Sequence, residues 1–524
     1  MHLRHALRVA TFVPALTGGA LLIPALTGGA TLAAQGASPY VPLGHWTMPY
    51  VEHLIAAGVI VDPTPLTRPL RRTDLLRALQ AVDTLQVSLA TATTLHRLEG
   101  ALASGPGGPG GPHVRVEGGV GAAAANYARR DALAAIDSTG PRRSGPGHGT
   151  VSADLDLGLV TSHVVAVTHL QVDTRLKYDP DWFGKKDRAI AGRTAEAYLS
   201  AQWKVGEVFF GRLDRNWGPG GIQGLLLSAN PYGLDHFALS IGTPKVQLQA
   251  IATQLDDRRD TSGVVHRFMV QHRLLLAPGR WSIALWEGSV LSGPDRSFEP
   301  WYLNVLNAGI LEQWNNGGNV NSFVGLDFER RGEVTLFGQL MLDDIQVDRA
   351  GATDKKPLSY AFTAGAQGAL GGAAAAWHVW YTRVTNLTYR NEDSLQVPLY
   401  HFLGTGRNFA DYDQVTVTVG LLPRAGLLLT PELTFVRQGE GDPRQPHPPV
   451  AAYPTTATIF EGVVERTLRA ALSGTLAVSE RWSVGFDAGV HRITNFQHVS
   501  GDTRTRLLGS VKLSYRFRGE GALP

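Results

Sequence analysis

Tight and long connections alternate along this chain. Between about residue 114 and Phe517 the sequence divides into 18 short segments of alternating polarity. Tight links fall at Thr161–Ser162, Gly206, Gly242–Pro244, Pro278–Gly279, Arg331–Gly332, Gly371–Gly372, Pro423–Arg424 and Ser479–Glu480, and nine longer, mostly polar links lie between them. A transmembrane β-barrel has this rhythm, with short turns at one rim and long loops at the other. A large sandwich or propeller also alternates, but its turns do not sort into strict short–long order over so many strands, and no blade-length repeat is present. The expected fold is an all-β transmembrane barrel of about 18 antiparallel strands. Both of its ends fall at the short-turn rim, which places them in the periplasm.

The segments carry the period of two that a barrel wall needs, because successive side chains of a strand point to opposite faces. In 505–517, Leu507, Gly509, Val511, Leu513, Tyr515 and Phe517 share one face, and Arg506, Ser510, Lys512, Ser514 and Arg516 the other. In 481–491, Trp482, Val484, Phe486, Ala488 and Val490 oppose Arg481, Ser483, Asp487 and His491. Alternation hides membrane character from hydropathy, which explains a mean near zero (−0.05) in a chain with only 18% charged residues. Cysteine is absent, so disulfides, thiolate metal sites and cysteine nucleophiles are excluded.

Residues 1–34 have the layout of a secretory signal, with Arg4, His5 and Arg8 ahead of an apolar, small-residue stretch to Ala34. Without Arg4 and Arg8 the formal charge of +3 falls close to neutrality, and no basic stripe for nucleic acid is present. Residues 41–103 show helical spacing instead. Trp46, Tyr50, Val51, Leu54 and Ile55 precede Gly58, a second helix is expected after Thr73, and a third between Leu85 and Leu102. The Gly/Pro linker at 104–113 then joins this small helical domain to a barrel at 114–517, with 518–524 as a tail. The helical domain is expected either in the periplasm or plugging the barrel from below.

The segment GRLDRNWGPGGIQGLLLSANPYGL at 211–234 is the most distinctive. Arg212, Asp214, Trp217, Gly218, Pro219, Ser228 and Asn230 within it resemble the central motif of the Wzi family of capsule-assembly outer-membrane proteins. VPLGHWTMPYVEHLIAAGVI at 41–60 with TRPLRR at 67–72, and LYHFLGTGRNFADYDQVTVTVG at 399–420 with RQGEGD at 437–442, are similar to other regions of that family. Phe517 resembles the aromatic ending of outer-membrane proteins, although RGEGALP follows it. The resemblance implies a monomeric barrel with a periplasmic helical part, in contact with outer-membrane lipid and lipopolysaccharide. It also implies a lectin-like role, anchoring capsular polysaccharide or exopolysaccharide at the cell surface, and no catalysis. The 41–60 stretch is also similar to a single S-layer homology module, which implies a tether to peptidoglycan or its polymers.

The residues themselves leave alternatives open. The WGPG loop reads either as a tight fold with Trp217 packed on the wall or as a ligand contact. Two long links suit carbohydrate, since aromatic faces stack on sugar rings and amides pair with hydroxyls. One carries Trp301, Tyr302 and Trp314 among Asn304, Asn307, Gln313, Asn315 and Asn316, and the other Asn386, Tyr389, Tyr400, His401, Arg407 and Asn408. An interfacial aromatic girdle gives the same composition. A basic wall (Arg469, Arg481, Arg506, Lys512, Arg516) is expected near an acidic one (Asp154, Asp156, Asp173, Glu196, Glu207). No GxSxG elbow or HExxH pair suggests an enzyme, and no cofactor or metal is expected. The alternative function is a diffusion porin or uptake channel.

Overall fold

The computed structural model describes residues 36–103, 112–127, 130, 133, 148–261, 263–316, 319–344, 351, 355–372 and 374–523; for 300 and 314–316 it describes the backbone only. The expected signal segment and most of the expected linker lie outside the described residues. Eighteen strands form the wall. They are β1 (His113–Ala125), β2 (His148–Val160), β3 (Val164–Asp173), β4 (Ala191–Trp203), β5 (Gly206–Arg212) and β6 (Asp235–Thr243), followed by β7 (Val246–Gln254), β8 (Gly263–Leu276) and β9 (Trp281–Gly293). Then come β10 (Val320–Arg330), β11 (Val334–Asp344), β12 (Ser359–Ala369) and β13 (Ala375–Val384). The last five are β14 (Tyr412–Arg424), β15 (Leu427–Gln438), β16 (Glu465–Ala477), β17 (Trp482–Thr494) and β18 (Thr503–Ala522).

Each strand pairs antiparallel with the next, and β18 pairs back onto β1 from His113↔Ala522 to Ala125↔Ser510, so the eighteen-strand wall closes on itself. All eight tight links are turns, although two sit a residue or two from the expected positions, at 204–205 and 425–426. The expected tail is a correction. The final strand runs past Phe517 to Ala522, because residues 113–117 of β1 give its backbone ladder partners.

Alternation sorts the wall as the sequence requires. Leu507, Val511, Leu513 and Phe517 point out and are exposed, whereas the Arg516 guanidinium lies 5.7 Å over the Trp46 ring inside. Trp203, Trp281, Trp482 and Phe517 form an outward aromatic ring at the short-turn rim. Such a girdle marks a membrane interface.

The helical segment plugs the barrel at the short-turn end, and plug and barrel belong to one compact unit, Gly36–Pro524. Helices α1 (Met48–Ala56), α2 (Arg72–Gln80) and α3 (Leu89–Leu102) share a core. Tyr50, Val51, Leu54, Leu75, Leu95 and Leu98 close it against Leu422, Leu428 and Ala477 of the wall. Polar contacts fix the seating. Tyr50 Oη donates to Gly426 O at 2.8 Å, Arg72 reaches Glu117 at 3.1 Å, and Arg71 pairs with Glu207 at 2.9 Å. These acidic wall residues are therefore neutralised from the plug, and Arg469 is held between Glu432 (3.0 Å) and Asp487 (2.7 Å).

Candidate functional site

The 213–234 segment turns inward from the outer end of β5 and reaches the plug. Asn216–Trp217 pairs with Thr67–Arg68, and Gly218 N–H donates to Leu66 O at 3.0 Å. Gln339 of the wall brackets the loop, accepting from Leu225 N–H (2.7 Å) and donating to Trp217 O (3.0 Å). Two glycines permit this path. A Cβ on Gly211, at φ +133°, would stand 2.1 Å from Ala197 O, and one on Gly220 would strike Arg68 and Glu52. Of the seven motif residues, Trp217, Gly218, Pro219 and Ser228 are buried, and Arg212, Asp214 and Asn230 are half-buried. Arg212 pairs with Asp235 rather than with Asp214. Burial raises the Asp214 carboxyl above its usual range, although Arg130, Arg193 and Arg212 pull it down. The motif is placed as packing between wall, plug and a second inward loop.

That second loop is 385–411. Arg267, fully buried on the lumen wall, donates to Leu395 O (2.7 Å) and Val397 O (2.6 Å) and so pulls the loop inside. Ser228 and Asn230 then bond Gly406 O and Gly404 O, and Tyr389 Oη bonds Leu225 O. Tyr389 and Arg407 are consequently buried. A cavity of ≈640 Å³ remains on the other side of the lumen, with Asp154, His169, Arg193, Glu196, Lys512 and Arg516 among its lining.

At the long-loop rim a different cluster forms. Phe183 stacks on His401 with centroids 4.2 Å apart and 18° between planes, and Tyr400 stands edge-on to both, at 5.7 Å and 4.4 Å. Phe402 is 60% exposed and lies 4.6 Å under Arg258. The platform is preset: His401 N–H donates to Asp256 at 2.9 Å, and Leu399–Tyr400 pairs with Leu403–Gly404 in a short hairpin. Burial lowers the His401 pKa, which favours a neutral ring at neutral pH. Open aromatic faces next to Arg258, Asp256, Arg212 and Asp235 can stack on a sugar ring and bond its hydroxyls. Sequence reasoning singled out Tyr400 and His401 but missed Phe183, Phe402 and Arg258. The HFLGTG stretch was the available signal.

The 301–315 group is elsewhere. Trp301 and Asn304 are exposed, Tyr302 is buried against the exterior of the wall, and the side chains of Trp314 and Asn315 lie outside the described residues. This segment carries two short helices, and its candidates Trp301, Tyr302 and Asn304 lie apart from Tyr389, Tyr400 and Arg407 of the other link.

A closed 18-strand wall with an apolar exterior and a plugged lumen defines a transmembrane β-barrel of the outer-membrane type. Its fold is that of the Escherichia coli outer-membrane protein Wzi, involved in group 1 capsule assembly and described as a carbohydrate-binding β-barrel. The two superpose with TM-score 0.60 over 89% of this chain and 98% of that one, at 15% identity. A BenF-like porin of Pseudomonas fluorescens (TM-score 0.45, 10% identity, 78% and 99% covered) and the DcaP channel of Acinetobacter baumannii (0.39, 11%, 78% and 98%) are more distant. No family model matches the sequence, and no curated protein matches it.

Proposed function

We propose that the protein is a lectin-like barrel of the outer membrane that binds or anchors surface polysaccharide, capsular or exopolysaccharide, at its long-loop rim, with the plug in the periplasm. It acts as a monomer without catalysis. The observation that carries this reading is the rim cluster of exposed Phe183 and Phe402 with half-buried Tyr400 and His401, flanked by Arg258 and Asp256, above a lumen occupied by the plug and two inward loops. The likeness of fold to a carbohydrate-binding barrel agrees with it. The charged ≈640 Å³ cavity favours a second reading, a diffusion porin or uptake channel.

Glycan-array binding by the purified barrel separates the two. Retention of a polysaccharide by the native protein is expected, with loss in Phe183→Ala/His401→Ala/Phe402→Ala at unchanged heat-modifiable mobility. Stable open channels in planar bilayers, with no glycan retained, would replace the anchor by the channel.

A further inference from the structure

Residues 294–316 of the β9–β10 connection do not stand above the barrel; they fold down over the outside of its wall. Pairing fixes the side. Arg273, Trp286 and Asp327 face the lumen, where Arg273 meets Leu66 and Thr67 of the plug. The next residues, His272 and Glu287, are direct cross-strand partners and so share the opposite, outward face. The connection meets them there. Glu287 accepts from Gly309 N–H (2.6 Å) and Ile310 N–H (3.3 Å) and pairs with His272 Nδ1 (2.9 Å). Tyr302, 3% exposed, joins Ala252, Phe268, Val270, Leu291 and Val320 in an apolar cluster on the same outer surface, and Phe298 packs on Phe268 at 4.4 Å. The helices concerned are α4 (Pro300–Leu303) and α5 (Gly309–Asn316).

Glu287 sits midway along β9, six residues from its outer end at Gly293. At about 3.3 Å per residue and a tilt of roughly 35–45°, that is a depth of about 15 Å below the strand end. Two residues lower on the same face, Leu285 is open to the surroundings, as are Phe210 on β5 and Phe237 on β6 further round the wall. The connection thus displaces lipid from β8–β10 and presents Phe298, Trp301, Leu303, Leu306 and Leu311 outward, with Leu306 79% exposed.

We infer that residues 294–316 form a membrane-immersed flap. Its inner face seals the His272–Glu287 pair, and its outer apolar face binds the acyl chains of the leaflet at the long-loop end. A carboxylate on a lipid-facing wall is costly unless it is covered and hydrogen-bonded, which explains the inner face. The outer face continues the exposed apolar band of the wall around it, so the same solvent, lipid hydrocarbon, covers both. The inference goes beyond the glycan reading and does not depend on it.

The chain has no cysteine, so single thiols report cleanly. Leu306→Cys and Leu311→Cys, labelled with bimane and reconstituted in phosphatidylcholine bilayers, are compared with Phe210→Cys on the bare wall and Val450→Cys on an exposed loop. Acyl-chain doxyl lipid should quench the flap labels as strongly as the wall label. The unlabelled thiols should resist a charged, membrane-impermeant maleimide that modifies Val450→Cys. Modification at the rate of the loop position without doxyl quenching, or efficient cross-linking of Leu306→Cys into dimers by a short bis-maleimide, would overturn the inference. Trp301→Phe serves if a cysteine variant fails to fold. It should reduce the tryptophan emission quenched by brominated-chain lipid, and unchanged quenching would count against the flap.

Discussion

Replacing Arg273 tests whether the plug is part of the folded barrel or merely rests inside it. The guanidinium is fully buried and spans both bodies. It donates to Asp327 of the wall at 3.0 Å, and to Leu66 O at 2.9 Å and Thr67 Oγ1 at 2.8 Å of the plug. Arg273→Met keeps the volume and removes all three bonds. Breaking a buried pair from one side costs about 3–5 kcal/mol, because an unpaired charge stays behind. Leu66 O keeps its bond from Gly218 N–H at 3.0 Å, so the loss of its second donor adds only roughly 0.5–1.5 kcal/mol. Asp327 keeps its bond from Trp286 Nε1 at 2.8 Å, which favours the lower part of the combined range, about 4 kcal/mol. Asp327→Asn in the same chain removes the uncompensated charge while retaining an acceptor for Trp286. The double variant should therefore recover about half of the loss, roughly 2 kcal/mol. Urea unfolding in bilayers measures the global term, and protease cleavage within 36–103 measures the plug. The single variant should show both a lower midpoint and an accessible plug. Equal stability of single and double variants would refute the charge argument, and a plug that stays protected in both would refute its attachment through Arg273.

Two further outcomes follow from placement. Leu513→Arg, on the exposed outer face, should destabilise the barrel by about 2–4 kcal/mol if Leu513 lies near the midplane, whereas Lys512→Gln, facing the cavity, should be nearly silent; urea midpoints compare them. His45 in the plug has its pKa pushed down to about 3, by burial first and then by Arg516, Arg72 and Arg115 against the opposing pull of Glu117. The unfolded chain takes up the proton below about pH 6.5 and the docked plug does not. The His45 contribution should therefore be present above pH 6.5 and lost as pH falls toward 3, seen as faster amide exchange in α1, and His45→Gln should flatten that dependence.

The wall was legible in the sequence because each strand carries its own evidence, in alternation and in turn residues. Leu513 and Lys512 fall on the expected faces without reference to any other strand. The helices of the plug were legible for the same reason, through Tyr50, Leu54 and Gly58. Its docking was not, since Tyr50–Gly426 and Arg72–Glu117 join residues whose separation no periodicity encodes. The direction taken by each long connection was equally hidden. Trp301 and Tyr389 sit in stretches of similar composition, yet one lies outside the wall and the other is buried in the lumen. A signal for the difference was present but unread. Glu287, beside His272, is the one carboxylate on the outward faces of β8 and β9, among Phe268, Val270, Leu285 and Leu291, and a carboxylate there requires a cover.

The same sorting narrows where a soluble ligand can meet the aromatic residues of the long connections. Tyr389 is consumed by packing on Leu225, Trp217 by the plug, and Tyr302 by the outer wall. Trp301, Leu306 and Leu311 face away from the barrel at the level of its apolar band. Phe183, Tyr400, His401 and Phe402 remain, drawn from two connections far apart in the chain and held at the rim by Asp256 and Arg267. Arg267 is therefore a positioning residue for the platform. It touches no open surface, but the backbone of 395–397 that it anchors leads directly into the hairpin carrying Tyr400, His401 and Phe402. Under the proposed glycan reading, an aromatic surface set by a fully buried cation would lose little conformational entropy when a sugar ring landed on it, and would bind more tightly than the same side chains on an untethered loop.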